Sequence, residues 1–184
     1  MTTKATERQQ LLKEFHQLFH IKFHEKIDFI EFEEFIKKGV NVDALITETH
    51  EKHEKWSPLF WACNRSKYDI VKYLIDNGGA NVDLKDGAKH TALHVAAAVG
   101  AYRIVDFLLK NGCKKYINVC DVDLETTLHL CADYGSEETF DMLLKHGGNP
   151  SLKNNENETP TDLLLDSSKT ISEKKFRERK YLNI

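Results

Sequence analysis

Apolar residues fall in short paired blocks along most of the chain, and the pairs recur. One block, Leu93-His94-Val95-Ala96-Ala97-Ala98-Val99, ends at Gly100. The next, Ile104-Val105-Asp106-Phe107-Leu108-Leu109, stops at Gly112. The first predicts a short helix buried nearly all round, the second an amphipathic helix with one broad apolar face. A glycine just past each block is a helix stop. Four block starts align without gaps: Ser57-Pro58-Leu59-Phe60, Thr91-Ala92-Leu93-His94, Thr126-Thr127-Leu128-His129 and Thr159-Pro160-Thr161-Asp162. Their first residues are 34, 35 and 33 positions apart. A second marker keeps the same period, in Leu74-Ile75-Asp76-Asn77-Gly78, Leu108-Leu109-Lys110-Asn111-Gly112 and Leu143-Leu144-Lys145-His146-Gly147. Phe35-Ile36-Lys37-Lys38-Gly39 is an earlier copy, 39 positions upstream. Two markers in register define an internal repeat. A unit this small buries its apolar faces only against its neighbours, so the repeats must stack.

Each repeat carries its own local signals. The opening Ser or Thr offers a side-chain oxygen to an unpaired N–H of the first helical turn. Pro58 and Pro160 follow where a missing N–H costs nothing. Small residues (Ala96, Ala97, Cys63, Cys131, Ala132) let the first helix approach its neighbours closely. At the N-terminal end, Leu11, Leu12, Phe15, Leu18, Phe19 and Phe23, then Phe29, Phe32, Phe35 and Ile36, keep helical spacing without a cap-like start. Residues ~8–40 therefore read as a degenerate first repeat or cap. Residues 167–184 are too polar for a full second helix and read as a cap or tail.

The Thr-Ala-Leu-His and Thr-Thr-Leu-His starts, the Leu-Leu-x-x-Gly helix ends and exits such as Gly79-Ala80-Asn81-Val82 resemble the ankyrin repeat. The resemblance covers about 57–166 well and 18–56 weakly. It implies an all-α solenoid of stacked helix pairs with β-hairpin-like fingers, elongated and monomeric. The division expected is 1–56 as a degenerate N-terminal repeat with an extended finger, 57–166 as repeats starting at 57, 91, 126 and 159, and 167–184 as the cap or tail. The resemblance also implies a non-enzymatic module that binds another protein through its fingers and the concave face of its inner helices. Similar small proteins act as kinase-inhibitor-like regulatory subunits, as assembly chaperones or as host-directed effectors, which form the alternative reading. In that register Thr91, His94, Thr126, His129, Gly78, Gly112 and Gly147 are structural.

Spacing singles out one finger. From Asp83, Asn118 and Ser151 to the next cap the distance is eight residues, but from Asp43 to Ser57 it is fourteen. The first finger is thus lengthened over residues 44–55, either as a functional loop or as a tolerated insertion. Lys114-Lys115-Tyr116 adds a smaller two-residue expansion.

Composition and charge add little until they are placed on the repeats. The 184 residues are 41% hydrophobic and 30% charged, with a net charge of -3. That balance argues against a general nucleic-acid or acidic-membrane binder. No apolar run approaches the ~18 residues of a membrane span, and no signal peptide is evident. The four cysteines, Cys63, Cys113, Cys120 and Cys131, form no Cys-x-x-Cys pair and read as thiols of an intracellular protein. Charge is uneven, however. Tyr116 through Leu144 contains no Lys or Arg, while Asp121, Asp123, Glu125, Asp133, Glu137, Glu138 and Asp141 contribute seven acids. Asp121, Asp123, Glu125, Asp133 and Tyr134 are the first partner-binding candidates, facing a partner with a basic surface. Lys85, Asp86 and Lys89 on the preceding finger, with Trp56, complete the set. Trp61 and Tyr102 are further aromatics in the same region.

Catalytic and metal chemistry find weak support. His16, His20 and His24 recur every four residues, a spacing that can chelate zinc or copper from one helix face. No cysteine or carboxylate completes the set nearby, so a polar stripe is the simpler reading. His50-Glu51-Lys52-His53 is one residue short of His-Glu-x-x-His and is rejected as a metalloprotease motif. No P-loop, Gly-x-Ser-x-Gly or dinucleotide glycine run is present. Cys113 and Cys120 are the thiols nearest an exposed turn. The basic tail, with Lys174, Lys175, Arg177, Arg179 and Lys180, reads as a solvated helix. No catalytic residue, metal or cofactor is assigned.

Overall fold

A computed structural model describes residues 6–7, 10–15, 29–44, 46–47, 55–133 and 136–165. The chain separates into two compact units, Met1–Asn81 and Val82–Ile184. In the first unit, residues 10–15 are helical and α1 spans Phe29–Lys37. Phe15 is fully buried, with ring centroids 5.6 Å from Phe32 and 5.7 Å from Phe35. Phe29 meets Tyr73 edge-on at 5.3 Å. Phe15, Phe32 and Phe35 therefore form an aromatic core, which packs through Phe29 and Phe32 onto Tyr73 of α3 (Tyr68–Asp76); Leu18, Phe19 and Phe23 lie outside the described residues. Between them, β1 (Ile46–Thr47) pairs antiparallel with β2 (Lys55–Trp56), Ile46 opposite Trp56 and Thr47 opposite Lys55. These strands are the base of the lengthened finger; Leu45 and residues 48–54 lie outside the described residues. Ser57 caps α2 (Pro58–Asn64), accepting from the Phe60 N–H at 3.5 Å.

The second unit repeats one design. Helices α4 (Ala92–Ala98) and α6 (Thr127–Asp133) are short and buried, apart from the half-buried end residue Asp133. Helices α5 (Tyr102–Lys110) and α7 (Glu137–Lys145) bury one face each. α8 (Pro160–Leu165) opens the last unit. α4 and α6 pack against each other, as do α6 and α8, and α4 pairs with α5 and α6 with α7. Ala92, Ala96, Ala97 and Ala98 are buried completely or nearly so, which is what lets these backbones come close. None of these helices has the ~12–15 residues needed to persist alone in water, so packing supplies their stability. The Lys114-Lys115-Tyr116 expansion is a 3₁₀ turn over Cys113–Tyr116. There Lys115 Nζ reaches the Asp83 carboxylate at 2.8 Å.

The repeat histidines fasten each inner helix twice. His94 Nδ1 accepts from the Thr91 N–H at 3.2 Å and lies 2.9 Å from Thr91 Oγ1, while Nε2 is 2.8 Å from the Val119 carbonyl. Only a neutral ring with its proton on Nε2 satisfies all three. Burial pushes the His94 pKa down to about 4, and the His90 charge adds to this. His129 repeats the arrangement with Thr126 and the Glu158 carbonyl. Asp162 takes the same place in the last unit and accepts from the Thr159 N–H and hydroxyl. Of the marker glycines, Gly112 and Gly147 adopt left-handed φ values of 94° and 102°. In the earlier unit that role passes to Gly79, while a Cβ on Gly78 would lie 2.9 Å from the Leu74 carbonyl oxygen.

Candidate functional site

Three fingers of the second unit share one turn. Asp86 Oδ1 accepts from the N–H groups of Ala88 at 2.9 Å and His90 at 2.8 Å. Asp121 Oδ1 does the same for Asp123 and Glu125, and Asn154 Oδ1 for Glu156 and Glu158. Each turn is closed by a backbone bond from its first residue to its fifth, as from Asp86 to His90. Such self-bonding is why Asp and Asn favour turns. The fourth position is left-handed in all three, at Lys89 (φ 67°), Leu124 (φ 60°) and Asn157 (φ 63°). Neighbouring fingers are tied edge to edge, Val122 N–H donating to the Ala88 carbonyl and Asn155 N–H to that of Asp123, both at 3.0 Å. Equivalent residues of the three turns therefore form rows.

Beneath the first two tips lies a buried ionic triad. His90 Nδ1 is 3.0 Å from Asp86 Oδ2 and Nε2 is 3.2 Å from Asp121 Oδ2. Burial works against the charge, but the hydrogen bonds to Asp121 and Asp86 override it and carry the His90 pKa up to about 10. At neutral pH the ring is a cation between two carboxylates. Glu125 holds the same turn position one repeat on, with Asp121, Asp133 and Asp123 as its charged neighbours. Burial, then the charges of Asp121, Asp133 and Asp123, push its pKa up to about 7, against a hydrogen bond from Asn154.

This geometry redistributes the residues expected at a binding surface. Asp121 is only 5% exposed and belongs to the triad. The Asp86 side chain is 1% exposed for the same reason. Trp56 is 2% exposed, its ring 5.3 Å from that of Trp61. These three are corrected from surface candidates to interior groups. Lys85 and Lys89 are exposed, and Asp123, Glu125 and Asp133 are half-buried; Tyr134 lies outside the described residues. Tyr102 is exposed. Cys113 is buried, not near-surface, and burial pushes its thiol up to about 12, as it does that of Cys131. Among the described residues no group of His, Cys, Asp or Glu is arranged to hold a metal. His16, His20, His24, His50, His53 and the basic tail lie outside them. None of the helices described is long and apolar enough to cross a membrane.

His90, Val122 and Leu124 were not singled out by the sequence. The signal for His90 was the pair of aspartates, Asp86 and Asp121, at one repeat position with a histidine between them. For Leu124 it was alignment with Lys89 and Asn157 at the turn position that demands a left-handed backbone.

Comparison with known proteins gives a consistent picture. A family model described as ankyrin repeats (3 copies) matches residues 32–119, and one described as ankyrin repeat matches 123–155. The chain is 33% identical over 89 residues to the serine/threonine-protein kinase TNNI3K of Mus musculus, which is 48% of this chain and 11% of that one. It is 42% identical over 55 residues to the FYVE zinc finger domain protein UPA1 of Mycosarcoma maydis, 30% of this chain and 4% of that one. It is 40% identical over 68 residues to the palmitoyltransferase AKR1 of Kluyveromyces lactis, 36% of this chain and 9% of that one. The chain thus matches about a tenth or less of each relative's length.

Proposed function

Because the chain belongs to the ankyrin-repeat family, we propose that it works by binding another protein through its fingers and the inner-helix face beside them, with no catalysis of its own. The observation that carries this reading is the row of three hydrogen-bonded turns at 86–90, 121–125 and 154–158. Each turn is locked from within, so binding needs little further ordering of the backbone, which removes part of the cost of association. Kinase or acyltransferase activity is not transferred from the relatives, since the shared segments are a small fraction of those proteins. We propose a reducing compartment, in which the buried Cys63, Cys113 and Cys131 stay as thiols.

The partner presents a basic surface. Asp121 contributes no outward charge, but Asp123, Glu125 and Asp133 remain half-exposed along one finger and the end of α6. A cation approaching them also favours ionisation of Glu125, so binding tightens as pH rises through about 7. The test is affinity capture from the native cell with the wild-type chain and with an Asp123→Lys/Glu125→Gln variant, Asp121 left intact. The captured protein should be lost with the variant, and wild-type binding should weaken with added salt. Capture of the same protein by both forms, with the same salt profile, would remove the acidic-finger reading.

A further inference from the structure

The finger at 121–125 carries a cost that folding does not explain. Leu124 sits at φ 60° and is 48% exposed, and Val122 beside it is 45% exposed. A left-handed backbone disfavours any residue with a Cβ, and glycine or asparagine meets the same turn with less strain. Asn157 does so in the finger at 154–158. Leucine at that position therefore adds backbone strain and sets an apolar side chain in water. Lys89 carries the same left-handed backbone in the finger 86–90, so what sets Leu124 apart is an exposed apolar side chain at that position.

We propose that Leu124, with Val122, is the anchor onto which a partner protein seats an apolar side chain flanked by lysine or arginine. This rests on the protein-binding reading above and names the chemistry of the partner. Leu124 lies between Asp123 and Glu125, with Glu156 exposed on one adjoining finger, and Lys89, exposed on the other, is the one lysine of the three turns. An apolar residue with basic neighbours buries the anchor and meets these carboxylates, whereas an acidic segment is repelled by them. The tip is also held in place. Asp121 Oδ1 accepts from both Asp123 and Glu125 N–H groups, and the flanking fingers bond to Val122 and Asp123.

The experiment is selection of a random peptide and small-domain display library on the full chain, followed by titration of the enriched binders. Enriched sequences should carry an apolar residue beside Lys or Arg. Leu124→Gly should weaken them at least tenfold while raising, or leaving unchanged, the denaturation midpoint. Leu124→Met should retain binding, which separates apolar contact from turn geometry. A fall in the midpoint with Leu124→Gly would show a packing role and overturn the anchor. So would binders that tolerate Leu124→Gly, although protein binding itself would then stand. Failure to enrich any binder would count against both readings. A wild-type chain that dimerises in sedimentation, and that Leu124→Gly returns to monomer, would assign the anchor to a second copy and overturn the proposal as stated.

Discussion

At the scale of single residues, the most consequential side chain is one that neither cap nor period announces. His90 is a buried cation whose two ring nitrogens face Asp86 and Asp121, carboxylates contributed by successive fingers. Removing it leaves two buried charges facing each other, and breaking such a pair costs about 3–5 kcal/mol. His90→Ala should lower the denaturation midpoint accordingly. The pH dependence follows from the raised pKa. The triad's contribution through His90 is fully present below ~6.5, the ordinary histidine value, and is lost as pH rises through about 10. Asp121 behaves in the opposite sense. Burial raises its pKa, but the His90 hydrogen bond and the N–H groups of Glu125 and Asp123 lower it overall. Its contribution is present above the ordinary aspartate range and is lost as pH falls through the depressed value. The stability gap between wild type and His90→Ala should thus be widest near neutrality and narrow above pH ~10. A gap that stayed constant to that pH would mean the ring is not charged in the native protein.

At the scale of elements, period and caps were legible because they are local. Ser57, Thr91, Thr126 and Thr159 open helices, Pro58 and Pro160 begin α2 and α8, and Gly100 ends α4. What could not be read was which polar residues the stacking would bury. Asp86, Asp121 and Trp56 look like surface residues one at a time, and they turn inward only when the adjoining turn or helix is in place. The same limit hid Leu124, whose exposure and backbone angle depend on a turn set by Asp121. Gly100 shows how one residue serves two elements. Its φ is 63°, and a Cβ there would lie 2.8 Å from both Cβ and Oγ of Ser136, the residue that precedes α7. Ser136 Oγ in turn donates to Thr139 Oγ1 at 2.8 Å. Gly100→Ala therefore incurs both left-handed strain and a clash with the next repeat. A loss of about 1–3 kcal/mol is expected, against a few tenths for a substitution at an exposed α7 position such as Asp141. Thermal denaturation of the two variants side by side reads the difference, and equal midpoints would mean the junction yields without cost.

At the scale of the molecule, a stack of repeats distributes stability differently from a globular core. Within the Val82–Ile184 unit, contacts run from each helix to its partner and to the next repeat, so local damage should spread to neighbours and fade with distance. Leu143 tests this. It is fully buried in α7, its carbonyl lies 3.0 Å from where a Cβ on Gly148 would be, and Leu128 of α6 closes over the same glycine. Leu143→Ala removes a buried side chain from the α6–α7 repeat at a cost of about 2–5 kcal/mol. If the unit unfolded all or none, amide exchange would accelerate equally in every helix. Nearest-neighbour coupling predicts otherwise. Protection should fall most in α6 and α7, and less in α4, α5 and α8, which touch them. The fingers matter to this ordering, because the bonds from Val122 to Ala88 and from Asn155 to Asp123 link repeats independently of the helices. Their amides should therefore lose protection with the α6–α7 repeat, carrying the Leu124 tip with them. A variant with weakened α7 would then also bind a fingertip partner more weakly, through loss of the folded finger, and saturating partner should restore exchange protection at Val122 and Asn155.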